Sequence, residues 1–384
     1  MKKRKRKVRR GIADAYLGRI VALCLVAGML INIFLPDKAS SEIENRELTQ
    51  FPKLTADTLA DGSFTDDFES YEADQFAGRN FFRNAQIFLR WLGGDREEND
   101  VYLGKDGQLL EKIVSPTEKL LSEDAQAINE FAQAYGDVRI SMMLVPDAGT
   151  ILSDSYPAYA QENDQKEYYQ DFQSRLSDSI NKIDLCSVLE GHEGEKLYYK
   201  TDHHWTSLGA KYGYEAYCSQ LSLTAGDFTA YTVSDDFNGS LSSTSGFCQG
   251  ETETIEIYTP DAGTKQIVNY VDNQSKKSTL YDMDKLETKD QYAVFMGGNY
   301  SLIDIKTTTD NEQTLLLFKD SFANSLIPFL VTQYKEIVVV DPRYYYGTVT
   351  ELMSSYSIND VLFLYSGNTL FADNNLKEVL SLSE

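Results

Sequence analysis

Histidine and cysteine are scarce in this chain of 384 residues, which has three and four of them, respectively. Basic residues are also in short supply, with 36 Lys and Arg against 59 Asp and Glu. The net charge of −23 therefore argues against a nucleic-acid partner, whose phosphates require a basic surplus. The sequence contains no CxxC pair and no HExxH motif, which argues against a zinc or redox site. We expect no metal and no cofactor.

The charge is distributed unevenly along the chain. Residues 1–20 hold nine Lys or Arg and one Asp, residues 21–35 hold no charge, and the remainder carries −31. The apolar stretch 15–35 can span a bilayer if Arg19 reaches back to the headgroups. Its basic flank predicts a cytoplasmic stub at residues 1–14 and an acidic body outside the cell membrane. A cleaved signal peptide is the alternative, but no small-x-small cleavage site follows the stretch.

The body has the pattern of an α/β protein. Residues 36–65 are predicted to be an extended lead-in and residues 66–384 one domain, beginning with a helix over 66–90. The apolar runs LLLF, IVVV and VLFLY alternate with helical patterns, which is typical of a parallel sheet flanked by helices. Strands are predicted at residues 138–145, 183–185, 314–318, 336–340 and 360–365. Residues 225–300, rich in Thr, Ser, Tyr, Gly and Asp, are interpreted as a β-rich insertion.

Two of the three histidines lie in the segment Thr201-Asp202-His203-His204-Trp205-Thr206. If this segment is extended, Asp202 and His204 point to the same side. A carboxylate beside an imidazole fixes its tautomer and stabilises its protonated form, as a general base requires. We therefore predict that His204 is a base oriented by Asp202. The alternatives are a structural histidine pair or a metal site, and the metal site is the weaker of the two.

A serine follows the predicted strand 314–318, in the segment Lys319-Asp320-Ser321-Phe322. At such a strand-to-helix turn the Ser321 side chain is exposed at the sheet edge, and nearby N–H groups can stabilise an oxyanion. An adjacent base would activate the hydroxyl group. A helix N-cap is the commoner role for a serine in this position, but the Asp–His pair favours a nucleophile.

Two further polar residues follow predicted strands. Asn368 comes after the strand 360–365, and its amide could donate to an oxyanion, although Gly and Asn are also typical of ordinary turns. Arg343 follows the strand 336–340, where it could bind an acidic or acetyl oxygen. A structural salt bridge is an equally good interpretation of Arg343.

Taken together, these segments resemble the DHHW family, bacterial anchored proteins related to the SGNH-hydrolase-like domain of the alginate O-acetylation proteins. The resemblance covers most of the chain after the apolar stretch. It rests on Glu44-Asn45-Arg46 with Phe51-Pro52, the turn from Tyr102 to Gly107, the DHHW residues 202–205, Gly297-Gly298-Asn299, Lys319 to Phe322, and Asp341 to Tyr344.

The resemblance implies an SGNH-hydrolase-like fold with a Ser-His-Asp triad. In it Ser321 is the nucleophile, His204 the base and Asp202 the third member. The Ser and His blocks stand in the reverse of the usual SGNH order, as they do in the alginate relatives. The further candidates for oxyanion or substrate binding are Asn368, Arg343, His203 and Trp205.

The implied function is a membrane-anchored, extracytoplasmic O-acetyltransferase. It would move an acetyl group to or from a cell-surface or secreted polysaccharide, with the acetyl donor supplied by a membrane acyltransferase partner. An acetyl esterase of the same chemistry is one alternative. A non-catalytic polysaccharide-binding or envelope-assembly protein is another.

Overall fold

A computed structural model describes residues 2–161, 163–372 and 375–381, with side chains from residue 14 onward. The chain divides into two compact units, residues 1–95 and 96–384. The elements of the first unit are α1 (Lys2–Phe34), β1 (Ser40–Ser41), β2 (Arg46–Glu47), α2 (Ala56–Ala60), α3 (Ser63–Gln75) and α4 (Arg79–Leu92).

Helix α1 contains the apolar stretch seen in the sequence. Within the described residues, its part Asp14–Phe34 is the one helical segment that is long and apolar enough to cross a membrane. A signal sequence would meet the same criterion. The helix predicted over 66–90 is two helices, α3 and α4, because the chain turns at Gly78, whose φ of 77° is left-handed.

The second unit contains the large sheet. Its strands are β3 (Glu97–Glu98), β4 (Val101–Leu103), β5 (Leu109–Glu111), β6 (Arg139–Val145), β7 (Asn181–Ile183), β8 (Phe228–Phe237), β9 (Glu253–Pro260), β10 (Gln266–Tyr270), β11 (Ser275–Lys277), β12 (Leu302–Thr307), β13 (Thr314–Lys319), β14 (Glu336–Val340) and β15 (Asp360–Ser366). Its helices are α5 (Glu118–Ala134), α6 (Ala148–Ile151), α7 (Gln165–Arg175), α8 (Leu185–Glu190), α9 (Ser207–Gln220), α10 (Ser240–Ser245), α11 (Ala323–Leu330), α12 (Val349–Ser355), α13 (Gly367–Leu370) and α14 (Leu376–Leu380).

Eight strands form one mixed sheet in the order β11-β10-β12-β14-β13-β15-β6-β7. The five strands from β14 to β7 run parallel to one another. This confirms the predicted parallel βαβ pattern, and β6, β13, β14 and β15 confirm four predicted strands. The predicted parallel sheet continues at one edge into β12, β10 and β11, which pair antiparallel. The sequence reading missed β12 itself.

The sheet is buried on both faces. Alternate residues of β13 enter different apolar clusters, with Leu315 and Leu317 on one side and Leu316 and Phe318 on the other. Residues of α8, α9 and α11 complete the first cluster, and residues of α5, α7, α12 and α14 the second. Burial on both faces explains why these strands are continuous apolar runs.

The segment 225–300 contains four strands with two different partners. The strands β8 and β9 form a separate two-stranded antiparallel ribbon with two irregularities in register. The strands β10 and β11 extend the main sheet. The segment is therefore rich in β-structure, and its interpretation as an insertion stays a prediction.

Candidate active site

The Asp-His-His-Trp segment is a short loop held at both ends. Tyr198 and Trp205 form an antiparallel bridge, and the N–H of Tyr199 donates to the carbonyl of His204 at 3.2 Å. Thr206 then caps α9, its hydroxyl accepting from the N–H of Gly209. Because bridge and cap fix both sides of the loop, the side chains of residues 202–204 have little freedom to move.

Ser321 lies in the turn between β13 and α11, at the carboxyl edge of the parallel strands. The preceding residue, Asp320, is fully buried and accepts from the N–H groups of Phe322 (2.9 Å) and Ser366 (2.8 Å). This carboxylate therefore ties the turn to the end of the neighbouring strand β15. The N-cap position of α11 is Phe322, so the alternative interpretation of Ser321 as the cap does not apply.

The structure brings Ser321, His204 and Asp202 together in one hydrogen-bonded line. His204 Nε2 lies 2.8 Å from Ser321 Oγ, and His204 Nδ1 lies 2.6 Å from Asp202 Oδ1. With Nδ1–H donating to the carboxylate, Nε2 is left to accept the serine proton. Asp202 and His204 are 3% and 5% exposed, so these bonds are formed away from bulk water.

Asp202 is held by further hydrogen bonds. Its Oδ1 also accepts from the N–H of His204 at 3.0 Å, and its Oδ2 accepts from the N–H of Ser240 at 2.8 Å. The residue before Ser240 is Gly239, where an added Cβ would lie 2.3 Å from Asp202 Cβ. Only glycine therefore lets the start of α10 approach the carboxylate this closely.

The surroundings of the site shift its ionisation. Burial alone would raise the pKa of Asp202, but His204 and His203 lower it well below its usual range. Burial and the neighbouring His203 lower the pKa of His204 to about 4, against the opposing effect of Asp202. Burial also acts to lower the pKa of His203, yet Asp202 and more distant carboxylates raise it above its usual value. At neutral pH, His204 is therefore free to accept a proton.

Tyr292 is a residue of the site that sequence reasoning missed. Its ring stacks on His204 with centroids 3.7 Å apart and an interplanar angle of 7°. Its hydroxyl donates to Ser325 Oγ (3.1 Å) and to the carbonyl of Ser321 (3.3 Å). No sequence signal distinguishes Tyr292 among the 25 tyrosines of the chain.

His203 and Trp205 lie on either side of His204 in sequence and differ in role. The His203 ring lies 3.8 Å from that of His204, and its Nδ1 is 2.7 Å from Ser240 Oγ. Trp205 is fully buried, and its Nε1–H donates to the carbonyl of Phe322 at 2.9 Å. Trp205 thus joins the loop to the turn that carries Ser321, whereas His203 is partly exposed beside His204.

The side chain of Asn368 is directed into another part of the unit. Its Nδ2 donates to the carbonyl of Lys112 (3.0 Å) and to Glu111 Oε2 (3.2 Å), and its Oδ1 accepts from the N–H of Val114 (2.8 Å). These bonds engage both polar ends of the amide. The assignment of Asn368 to an oxyanion site stays a prediction that requires the amide to be released.

Arg343 belongs to a buried ionic network next to the site. Its Nε and Nη2 donate to the two oxygens of Asp341, at 2.9 and 2.7 Å. Lys319 lies 3.3 Å from the same carboxylate, and both Lys319 and Asp341 are buried. The structural salt bridge considered for Arg343 is therefore present, and substrate binding by this residue stays a prediction.

Asn299 is a further candidate that the sequence offered only within the resemblance. Its Oδ1 accepts from Lys319 Nζ (2.8 Å) and Asn324 Nδ2 (3.1 Å), and no described residue accepts from its own Nδ2. Gly297 and Gly298 have φ values of 78° and 116°, which other residues rarely adopt. Asn299 is exposed, and its Nδ2 is a hydrogen-bond donor presented by a glycine turn.

Asp202, His203 and His204 also form a cluster of possible metal ligands. Their ligand atoms lie within 4.8 Å of one another. The hydrogen bonds described above already engage these atoms, so the geometry is explained by the Ser–His–Asp line without an ion. It does not identify a metal centre.

This chain is similar to one protein family and to several solved structures. The family model described as DHHW protein matches residues 107–340 of this chain. The structure is similar to that of a DHHW family protein from Eubacterium siraeum, with a TM-score of 0.65, 23% identity, and coverage of 75% of this chain and 98% of the other. It is also similar to PatB1 from Bacillus cereus, with a TM-score of 0.61, 23% identity, and coverage of 73% and 99%. One PatB1 structure holds a sulfonyl adduct.

The O-acetyltransferase domain of Pseudomonas putida AlgJ is less similar, with a TM-score of 0.48, 14% identity, and coverage of 72% of this chain and 94% of AlgJ. No curated protein sequence matches this chain significantly. Identities of 23% establish a common fold and nothing finer. The family model matches more than half of this chain, and the chain therefore belongs to the DHHW family.

Proposed function

We propose that this protein is an SGNH-like serine O-acetyltransferase that acts on a polysaccharide outside the cell. The observation that carries the proposal is the line from Ser321 through His204 to Asp202, with distances of 2.8 and 2.6 Å. A serine, an imidazole and a carboxylate in this order form the arrangement that activates a hydroxyl group for acyl transfer. That the transferred group is acetyl and the acceptor a glycan is inferred from the resemblance to the alginate O-acetylation proteins.

The reaction would proceed in two steps through an acetyl-serine. His204 Nε2 takes the proton of Ser321 as Oγ attacks the acetyl carbonyl, and the same proton then passes to the leaving group of the donor. In the second step His204 Nε2 takes the proton of a sugar hydroxyl as its oxygen attacks the carbonyl of the acetyl-serine. The same proton then passes to Ser321 Oγ as the bond between Oγ and the acetyl group breaks, which regenerates the serine. Asp202 stabilises the imidazolium formed in each step.

The developing oxyanion needs donors near Ser321. The N–H of Ser321 makes no hydrogen bond to the described residues and can supply one. Asn299 Nδ2 is the second donor that we propose, since its amide oxygen is held by Lys319 and Asn324 on either side of the nucleophile in sequence. This choice is preferred to Asn368, whose amide is already engaged.

The proposed setting is the outer face of the cell membrane. The basic residues before the apolar part of α1 favour a cytoplasmic N-terminus and an exported body. A membrane anchor would hold the enzyme beside a membrane acyltransferase that supplies the acetyl donor. Residues 15–35 would then act as an uncleaved signal anchor.

In the site, Ser321 is hydrogen-bonded to His204 and Ser240 to His203. Removing each serine hydroxyl in turn tests the proposal. Ser321→Ala should reduce acetyl release from a chromogenic acetyl ester by at least about 10³-fold and abolish labelling by a sulfonyl fluoride. The matched variant Ser240→Ala, which removes the hydroxyl beside His203, should retain labelling and most of the activity. Full activity of Ser321→Ala, or loss confined to Ser240→Ala, would refute the nucleophile assignment.

The acceptor is tested separately by mass analysis of oligosaccharides incubated with the protein and the ester. Transfer predicts a mass increase of the glycan that depends on Ser321. Release of free acetate alone would instead identify an esterase. Glycan binding without either product, in the parent protein, would favour the non-catalytic alternative.

A further inference from the structure

Lys319 is a buried lysine at the end of a strand. It follows the apolar residues 315–318 of β13, and its side chain is only 1% exposed. Lysine is almost never fully buried unless its charge is paired. A buried ion pair is often no more stabilising than apolar residues of similar size. The contact of Lys319 with Asp341 is therefore a weak explanation, by itself, for a lysine at this position.

The hydrogen bonds of Lys319 extend beyond Asp341. Its Nζ donates to Asn299 Oδ1 at 2.8 Å and to Asn324 Oδ1 at 3.0 Å, and it lies 3.3 Å from Asp341 Oδ2. Three acceptors match the three hydrogens of a protonated amine. An ion pair would require only one of these contacts. Lys319 thus binds two side-chain amides as well as one carboxylate.

These contacts fix the orientation of the Asn299 amide. Its Oδ1 accepts from Lys319 Nζ (2.8 Å) and from Asn324 Nδ2 (3.1 Å), which engages both lone pairs of the oxygen. Rotating the amide by half a turn would break both hydrogen bonds. Nδ2 therefore stays on the opposite side, where no described residue accepts from it. Because a cation on the oxygen polarises the amide, its N–H groups also become better donors.

The same contacts connect the amide to the turn that carries Ser321. Lys319 stands two residues before Ser321 and Asn324 three residues after it, and the N–H of Asn324 donates to the carbonyl of Ser321 at 3.1 Å. Lys319 and Asn324 are 1% and 2% exposed, so these bonds lie in the interior. A shift of the Asn299 amide relative to Ser321 would therefore break buried hydrogen bonds.

We propose that Lys319 is a positioning residue, which holds the Asn299 amide with Nδ2 directed at the oxyanion of the acyl transfer. The inference rests on the proposed function and on Asn299 as its second oxyanion donor. A donor that is held in advance needs no reorganisation when the oxyanion forms. Lys319 touches no reacting atom, so its whole effect on the reaction passes through Asn299.

The test is a double-mutant cycle on kcat for a chromogenic acetyl ester, measured with the full-length protein. Asn299→Ala removes one oxyanion donor and should lower kcat about 10²-fold with little change in KM. Lys319→Met keeps a long side chain without its donors and should lower kcat at least about 10-fold. If Lys319 acts through Asn299, the double variant should stay within about twofold of Asn299→Ala. A decrease equal to the product of the two single effects would overturn the proposal.

The matched control is Tyr292→Leu, which disturbs the site through His204 instead. Its effect on kcat should multiply with that of Asn299→Ala, because the two residues act on different groups. If the effect of Tyr292→Leu also disappeared in the Asn299→Ala background, coupling would be a general property of the damaged site. The coupling of Lys319 with Asn299 would then have no special meaning, and the proposal would fail.

A second cycle avoids an unpaired charge in the interior. Lys319→Met combined with Asp341→Asn removes both charges of the buried pair, and near-UV circular dichroism shows that the variant is folded. Adding Asn299→Ala to it should change kcat by no more than about twofold, and a further decrease of about 10²-fold would overturn the proposal. A parent protein without Ser321-dependent acetyl release would refute the proposed function together with this role of Lys319. An active parent without coupling would refute the role of Lys319 alone.

Discussion

The imidazole of His204 is constrained on every side. Asp202 and Ser321 bind its two nitrogens, Tyr292 stacks on the ring at 3.7 Å, and the ring of His203 lies 3.8 Å away. The hydrogen bonds determine which nitrogen of His204 carries the proton. The neighbouring rings determine the orientation of the imidazole plane. Such preorganisation is what the proposed acyl transfer would require of His204 as its base.

The role of Tyr292 can be tested with one variant that removes only its hydroxyl and one that removes the whole ring. Tyr292→Phe keeps the stacked ring and should change kcat by only a few-fold. Tyr292→Leu removes it and should lower kcat roughly 10–100-fold, because small misplacements of a catalytic group are costly. Steady-state kinetics with a chromogenic acetyl ester measures both. Equal kcat values for the two variants would show that the ring does not position His204.

The charge on His203 should affect the pH dependence of kcat/KM. The proposed reaction needs unprotonated His204, so activity should rise with pH through the pKa of His204, which burial and His203 lower to about 4. His203→Gln removes the neighbouring positive charge and should move the acid limb of kcat/KM to higher pH. The matched control is His192→Gln, since His192 stacks on Tyr212 and binds Glu195 instead. An acid limb that stays in place in His203→Gln would contradict the prediction.

At the scale of elements, the site is made where adjacent parallel strands end. Ser321 follows β13, Asp341 follows β14 and Ser366 ends β15, and Asp320 and Lys319 connect these ends by buried polar contacts. Parallel strands put their carboxyl ends at one edge of the sheet, which is why ligands of such folds bind there. The buried contacts prevent neighbouring turns from moving independently.

The buried network gives a stability prediction. Asp341→Asn leaves the buried Lys319 without its carboxylate, which should lower the free energy of unfolding by about 3–5 kcal/mol. Arg343→Met removes the more exposed partner and should have a smaller effect. Urea unfolding of the full-length protein measures both. If Asp341→Asn were no more destabilising than Arg343→Met, the Lys319–Asp341 pair would not be a principal support of these turns.

At the scale of the whole molecule, charge and topology are linked. The basic residues lie before the apolar stretch, and the chain after it carries −31. Positive residues resist translocation, whereas acidic residues have little influence on orientation. The proposed export of the body therefore depends on a few residues at the N-terminus.

Orientation can be tested by neutralising this cluster. Replacing the Lys and Arg of residues 2–10 by Gln should leave a fraction of the body protected from protease added to spheroplasts. Exchanging Lys for Arg, and Arg for Lys, at the same positions keeps the charge and should leave the body fully accessible. Complete accessibility in both variants would show that another feature orients the chain.

The sequence by itself determined the local features of this protein. The apolar runs predicted the parallel strands because these are buried on both faces, and the two-residue spacing of Asp202 and His204 predicted their contact. The strand-to-helix turn at Ser321 followed from the same patterns. Each of these conclusions depends on neighbours along the chain, where periodicity and spacing are sufficient.

Only the tertiary structure decided which distant residues meet. It gave the contact of Ser321 with His204, 117 positions away, which the family resemblance had suggested. It also stacked Tyr292 on the imidazole and engaged the amide of Asn368 elsewhere. It also showed that β12, β10 and β11 extend the sheet antiparallel. The physical reason is that contacts between elements depend on how whole helices and strands pack, and one sequence pattern is compatible with many such pairings.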